Sequence, residues 1–511
     1  MFSIQAIGMK QFAVGLLGVV VLMGGSADLA LGAVELNDRQ ISNAVDDELI
    51  KDPAVSARAI DVSTAEGVVT LTGSVNNLLA KERAENIAAT VKGVRAVVNR
   101  IDVSAPYRAD KEIDEDIDDA LRWDPVTESW ELTASVDNGI VTLTGTVDSW
   151  QEAQLAATVA KGVRGVKGVA NNIMVDYKTD RPNREIQEEV AATLRWDLYV
   201  DDGLIEVSVD NGHVALTGTV GSLAEKNRAY SKAWVAGVKS VDNSGLNVKG
   251  WARDARLRTG KYIARSDAEI KAAVNDALVY DPRVVSYKID VESTGGYVTL
   301  RGTVDNLRAK RAAAQDARNV VGVWSINNKL KVRPGTPSDR RIEVNLKNAL
   351  ARDPSVERYQ IDVSVVDGEV YLAGAVDSTF EKAVADNVAA RQLGVEVVHN
   401  FLTVNNPNFT VQDPYTDEWY LYDYDWYVTT DRTTTKSDWE IEVDIKAELF
   451  WSPFVDSEEV TVSVDNAVVT LTGTVDTWAE RQAATENAIE GGAVAVDNEL
   501  AVIYGPNYYT P

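Results

Sequence analysis

Val69-Thr70-Leu71-Thr72-Gly73 returns along the chain as Val141-Thr142-Leu143-Thr144-Gly145, Val214-Ala215-Leu216-Thr217-Gly218, Val298-Thr299-Leu300-Arg301-Gly302, Val370-Tyr371-Leu372-Ala373-Gly374 and Val469-Thr470-Leu471-Thr472-Gly473. Thirty-two residues before each glycine stands an isoleucine (Ile41, Ile113, Ile186, Ile270, Ile342, Ile441). Twenty-four before it stands a leucine (Leu49, Leu121, Leu194, Leu278, Leu350, Leu449). No net insertion or deletion separates these marks in any copy, so one small module is repeated six times. A chain of 511 residues is too long for one core. Modules of about 70 residues bury too little surface to be robust alone, which predicts packing between neighbours.

The second copy shows the module's pattern. Ile113, Ile117 and Leu121 recur at four-residue steps and mark one face of a helix. Asp114, Glu115, Asp116, Asp118 and Asp119 fill mostly its solvated side, and Asp124-Pro125 stops it. Trp130, Leu132, Ala134 and Val136 then alternate with polar residues as a half-buried strand does. Asp137-Asn138-Gly139 supplies a tight hairpin turn, because Asn-Gly tolerates the positive φ angles it needs. The returning strand puts Val141, Leu143, Gly145 and Val147 on one face and Thr142, Thr144 and Thr146 on the other. An alanine-rich helix is expected over 149–161 and a last strand near 172–175. The recurrent glycine is read as a packing site that keeps a covering helix close. An asparagine before the last strand (Asn99, Asn171, Asn243, Asn328, Asn400, Asn498) suits a turn or a side-chain bond to the backbone.

This combination resembles the BON domain, the module named for bacterial osmotically inducible and nodulation proteins. The matching features are the Ile/Val/Leu helix, Asp-Pro, V-x-L-x-G-x-V and the late G-V-x-x-V-x-N segment. The resemblance implies an α+β sandwich of the order just read, residence in the cell envelope, and a role in phospholipid contact or stress protection.

The sequence therefore predicts six tandem α-β-β-α-β domains, each a three-stranded mixed sheet covered on one face by two helices. They are placed at 37–104, 109–177, 182–249, 266–333, 338–405 and 437–504. A basic linker occupies 250–265, a Tyr/Trp/Asp-rich linker 406–436, and a tail 505–511. The N-terminal 1–33 reads as a signal peptide, with Lys10, an apolar run from Phe12 to Met23 and cleavage after Ala27 or Ala33. A periplasmic location follows.

The formal charge of −27 argues against nucleic acid and against nonspecific adhesion to anionic membranes. The absence of cysteine excludes disulfides and thiol chemistry. His213 and His399 have no histidine counterparts in sister copies, and no nucleophile, phosphate-loop or zinc pattern is present. The acid clusters at Asp114–Asp119 and Asp201-Asp202 lack a calcium-loop pattern and read as solvated faces. No catalytic residue, cofactor or metal is expected.

Two places differ between copies. In the acidic chain, the linker bears Arg253, Arg256, Arg258 and Lys261, and the following helix bears Arg308, Arg311 and Arg318 on one face. Two readings stand: a contact for anionic headgroups or an acidic partner, or an ordinary solvated helix, with pairing to an acidic neighbouring repeat as one form of it. The second place is the aromatic linker, where Trp419, Tyr420, Tyr422, Tyr424, Trp426 and Tyr427 are interface candidates, docked on their own chain or joining chains. The function read from all this is binding: a non-enzymatic, stress-related envelope maintenance protein contacting phospholipid surfaces or envelope proteins. A periplasmic chaperone for unfolded clients is one alternative. A structural subunit, assembling with its copies through outward sheet faces and the aromatic linker, is the other.

Overall fold

In the first repeat α1 (Asp38–Lys51) leads into the hairpin β1 (Ile60–Ala65) and β2 (Val68–Val75), then α2 (Leu78–Thr90) and β3 (Ala96–Val103). β1 pairs antiparallel and β3 parallel with the central β2. The computed structural model describes residues 36–55, 59–124, 126–127, 132–177, 181–255, 265–333, 337–357, 360–405, 427–429 and 436–503. The signal-peptide reading lies outside them.

Five more repeats follow this order. They are α3 (Asp110–Trp123), β4 (Leu132–Asp137), β5 (Ile140–Val147), α4 (Trp150–Lys161), β6 (Gly168–Val175); and α5 (Asn183–Trp196), β7 (Ile205–Asp210), β8 (His213–Val220), α6 (Leu223–Lys232), β9 (Ser240–Val248). After the short α7 (Gly250–Ala255) come α8 (Asp267–Val279), β10 (Ile289–Thr294), β11 (Tyr297–Val304), α9 (Leu307–Arg318), β12 (Ser325–Val332). The fifth has α10 (Asp339–Arg352), β13 (Ile361–Val366), β14 (Glu369–Val376), α11 (Thr379–Ala390), β15 (Val397–Asn400), β16 (Thr403–Val404). A strand β17 (Tyr427–Thr429) precedes the sixth: α12 (Asp438–Trp451), β18 (Val460–Asp465), β19 (Val468–Val475), α13 (Trp478–Glu490), β20 (Ala495–Asn498), β21 (Ala501–Val502).

Each repeat keeps its own core, six in all, built from the helix triplet, the inward residues of the central strand and the alanines of the second helix. The local devices repeat as well. Asn138 and Gly139 take φ of 52° and 79°, as the expected turn requires. Ser149 caps α4 by accepting from Glu152 N at 3.2 Å. Asn99 Nδ2 donates to Lys81 O at 2.8 Å while its Oδ1 accepts from Ile101 N at 3.1 Å, tying the last strand to the second helix. Asn171, Asn328, Asn400 and Asn498 make the same clamp.

Three expectations are corrected. An extra residue follows Asn243, so Leu246 stands three positions after it where Ile101 stands two after Asn99; the ladder slips between Ala215 and Thr217, and Lys226 Nζ binds Leu246 O at 2.8 Å. β6 begins at Gly168, earlier than the sequence suggested. The recurrent glycine does not make room for a helix. Gly73 has φ +116°, and a Cβ there would lie 2.0 Å from Ala59 O on the neighbouring strand of its own sheet. Both facts restrict the position to glycine.

One device has no counterpart in the sequence reading. The first residue of the first helix is an aspartate that accepts the two turn amides of the hairpin: Asp38 Oδ2 from Glu66 N at 2.8 Å and Oδ1 from Gly67 N at 2.9 Å. Asp110, Asp267, Asp339 and Asp438 repeat it. In repeat three Asn183 keeps one bond, to Gly212 N. The signal was an aspartate thirty-five residues before five of the six glycines.

Candidate functional site

The described residues from Leu36 onward form one compact body, and the chemistry that distinguishes the copies lies where they meet. Five residues after the glycine, at the start of the second helix, a large side chain reaches a neighbour in five repeats, while repeat five has Thr379 there. Leu78 sits in the core of repeat two. Trp150 stacks on Trp234 of repeat three with centroids 5.2 Å apart. Leu223 packs on the core of repeat one. These contacts close a ring of the first three repeats. Leu307 enters the core of repeat five, and Trp478 meets Trp324 of repeat four at 4.9 Å, linking the last three.

The two rings join in pairs, through the last residue of the first helix or the residue after it. Trp196 packs on the core of repeat four and its counterpart Tyr280 on that of repeat three. Backbone bonds Leu198 N to Asn319 O and Val321 N to Trp196 O, both 2.9 Å, seal this contact. Trp451 packs on the core of repeat one, where its counterpart Lys51 pairs with Glu448. Arg341 of repeat five lies over Trp123 of repeat two at 4.5 Å, while Arg164 Nη2 binds Asp353 O and Val356 O at 2.9 and 2.8 Å. A second set of contacts joins repeats two and four, three and six, and one and five. The contacts named are those of a dimer of trimers, save the join of repeats five and six, which none of them makes.

The contacts between repeats decide the fate of the basic residues. Arg308 is 4% exposed, and its Nη1 lies 2.7 Å from Asp124 Oδ2 of repeat two. Arg311 pairs with Asp386 of repeat five. Arg253 is buried and donates to Phe450 O at 3.3 Å and Ser452 O at 2.5 Å in repeat six. Arg318 is half-buried. The expected basic contact surface is thus corrected for Arg253, Arg308 and Arg311, which hold repeats together. The physical reason is burial: a guanidinium under a neighbouring domain needs its partners there. Arg256, Arg258 and Lys261 lie outside the described residues.

Glutamates in the first turn of other second helices are also structural. Glu480, 3% exposed, accepts from Asp456 N and Asp476 N at 2.9 Å each. Glu225 and Glu381 repeat the arrangement, and Glu152 accepts from Asp148 N. Where repeats one and six meet, oxygens of Glu48, Glu448 and Glu490 converge within 4.8 Å. The Lys51 ammonium supplies the countercharge. Burial would lower Lys51, but the three glutamates raise it. Burial and the Glu48 charge push Glu448 up to about 7, and burial with both glutamates holds Glu490 well above the carboxylate range.

The outward sheet face carries threonines in most repeats, but repeat five differs. Tyr371 stacks on His399 at 4.6 Å, and His399 on Phe401 at 6.2 Å, with Phe401 63% exposed. Glu369 accepts from Tyr371 Oη at 3.0 Å and lies 2.9 Å from His399 Nε2, bonds that hold its carboxyl below the usual range. His399 lies within β15. His213 is exposed beside Ser240 Oγ at 2.7 Å. Of the aromatic linker, Tyr427 begins β17, which pairs antiparallel with β20 and widens the sixth sheet. Trp419, Tyr420, Tyr422, Tyr424 and Trp426 lie outside the described residues. No described helix is long and apolar enough to cross a membrane.

Comparison with known proteins agrees with this architecture. Osmotically-inducible protein Y of Escherichia coli is 32% identical over 198 residues, 37% of this chain and 92% of that protein. Outer membrane lipoprotein DolP of Haemophilus influenzae is 29% identical over 167 residues, 32% of this chain and 84% of that protein. The C-terminal domain of CdsD, a type III secretion structural protein of Chlamydia trachomatis, aligns over 42% of this chain and all of its own at 13% identity. Its TM-score of 0.11 carries no argument. The BON domain model matches 37–105, 109–177, 182–250, 266–334, 338–406 and 437–504. With six matches in register and the six-fold fold described above, the chain belongs to the BON domain family.

Proposed function

We propose that this is a non-enzymatic, stress-related protein of the bacterial envelope that holds other envelope proteins through strand edges and outward sheet faces. The addition of β17 to the edge of the sixth sheet carries this reading. That edge takes an extended segment of the chain itself, the mode by which sheets capture peptides. Among the described residues the sheets of repeats one to four end at the equivalent strand with nothing added. The aromatic row Tyr371, His399 and Phe401 adds an apolar platform on one outward face. The names of the relatives, osmotically-inducible and outer membrane, support the location and the stress connection. Phospholipid contact is the weaker half of the original expectation, because Arg253, Arg308 and Arg311 are engaged within the chain.

The test is fractionation and crosslinking of the native protein in cells. A photoreactive residue at Val98 of β3 is expected to crosslink to envelope proteins, more strongly after an osmotic upshift. Recovery of the chain in the cytoplasm, or crosslinks to lipid alone, refutes the reading.

A further inference from the structure

The three pairing faces between the rings are equivalent by position but not by content. At the face of repeats one and six, Glu48 and Glu448 stand twenty-five residues before their glycines, and Glu490 seventeen after its own. At the face of repeats three and four those positions hold Thr193, Ala277 and Asn319. The consequence is volume. A cavity of about 550 Å³ opens at the second face, against about 100 Å³ at the first. The larger figure falls in the range of about 300–1,000 Å³ typical of small-molecule sites.

The content differs in charge as well. Each sister face contains a cation of its own at the end of a first helix. Lys51 sits among three glutamates, and Arg352, 8% exposed, lies in the field of Asp116 and Asp119. The face of repeats three and four has aromatic residues at both equivalent positions, Trp196 and Tyr280. Trp150 adds a third ring to the cavity wall. The basic groups that line it are matched: Arg283 by Asp281 at 2.6 Å, and Lys232 by Asp197 at 3.5 Å. Glu189 is matched by Arg181. Asp276 and Asp316 line the same space with no ion pair among the described residues, and Asp316 Oδ2 is buried without a hydrogen-bond partner.

We propose that this cavity binds a small organic cation, an alkylammonium with an apolar body, its charge met by Asp316 and Asp276 and its body by Trp150, Trp196 and Tyr280. Aromatic faces, the half-buried Asp316 carboxyl and the more exposed Asp276 carboxyl together select a soft cation over a neutral solute of the same shape. The site does for a free ligand what the Lys51 ammonium does inside the sister face. In the absence of a cation, burial, the neighbouring Asp281 charge and a hydrogen bond to that carboxyl push Asp316 well up, which favours its protonated form. The groups facing it are Asp281 and Arg283 after α8, Asp276 on α8 and Lys232 on α6. A bound cation displaces that proton, so affinity rises with pH.

Calorimetric titration of residues 36–511 with choline and with its neutral isostere 3,3-dimethylbutanol tests the site. Choline is expected to bind one to one and at least tenfold more tightly than the isostere, with tighter binding at pH 8 than at pH 5.5. Asp316→Asn and, separately, Asp276→Asn are expected to weaken choline at least fivefold without lowering the melting temperature. Flotation on phosphatidylcholine vesicles separates the sources: co-flotation lost in Asp316→Asn assigns a lipid headgroup, and no co-flotation assigns a free solute. Equal binding of choline and its isostere, no binding of choline by folded protein, or unaltered affinity in both variants overturns the proposal.

Discussion

Replacing Arg308 by methionine separates an interlocked body from six beads on a string. On a free module, position 308 would be an exposed helix residue, and the change would fall within about 0.5 kcal/mol of neutral. In the structure Arg308 and Asp124 are 4% and 6% exposed in their side chains and 184 residues apart in sequence. Methionine fills the space of the aliphatic stem but leaves the Asp124 charge buried beside it. Breaking a buried pair from one side costs about 3–5 kcal/mol, far more than the pair itself is worth. The reverse change, Asp124→Asn, keeps the Oδ1 that accepts from Val126 N at 2.9 Å, so the helix end survives while the guanidinium loses its counterion. The double variant, Arg308→Met with Asp124→Asn, removes both charges and is expected to lie within about 1.5 kcal/mol of the parent, because replacing both members of a buried pair is often close to neutral.

The assay is guanidinium unfolding followed by tryptophan fluorescence for the parent and the three variants. The double-mutant cycle should yield a coupling of about 2 kcal/mol or more. A single variant indistinguishable from the parent, or a coupling below about 0.5 kcal/mol, refutes the packing of repeat two against repeat four.

Gly73→Ala is expected to destabilise repeat one by about 3 kcal/mol or more, since it combines a positive φ with a Cβ 2.0 Å from a backbone oxygen. Loss of the corresponding unfolding transition in calorimetry checks it. Asp438→Ala removes two amide acceptors at the hairpin of repeat six and should cost about 1–3 kcal/mol, with faster hydrogen exchange at Asn466 and Ala467. The contact of repeats one and six should weaken as pH rises. Glu448 is raised to about 7 from 4.5, so the folded state binds more protons than the unfolded chain in that window, and stability falls through it. A melting temperature higher at pH 5.5 than at pH 8, with the difference reduced in Glu448→Gln, is the expected result.

Each module was readable from its sequence because its core is written in residues with unambiguous faces. Ile113, Ile117 and Leu121 can point only inward, and Asn138-Gly139 can make only one kind of turn. The faces between modules are written in alanine, which marks no side of a helix. In α9 the buried residues are Leu307, Arg308, Ala309, Ala312, Ala313, Gln315 and Ala317, nearly the whole circumference. In α13 burial runs without a break from Ala483 to Ile489. A helix covered on one side by its own sheet and on the other by another repeat loses the polar face that would orient it. Arg308 therefore read as solvated in the sequence. The aspartate that clamps each hairpin escaped notice for another reason: Asp38 and its counterparts stand among many acids at helix starts, where a helix-dipole role already explains them.

In a homohexamer of this connectivity each pairing face would be isologous, so every contact of residue i with residue j would be repeated between j and i. A single chain of diverged repeats escapes that constraint. Lys51 faces Glu448, Trp123 lies under Arg341, and Trp196 and Tyr280 exchange places across the third face. The linkers fit the same requirement. The basic segment between repeats three and four is where the chain passes from one ring to the other, and Arg253 fastens it to repeat six on the way. The body can therefore put its opposite charges to work on internal faces while the chain as a whole carries −27, which disfavours association between copies. The divergence also lets one face close on its own ammonium and another stay open. That asymmetry leaves the face of repeats three and four open where the face of repeats one and six is closed, a difference strict symmetry would forbid.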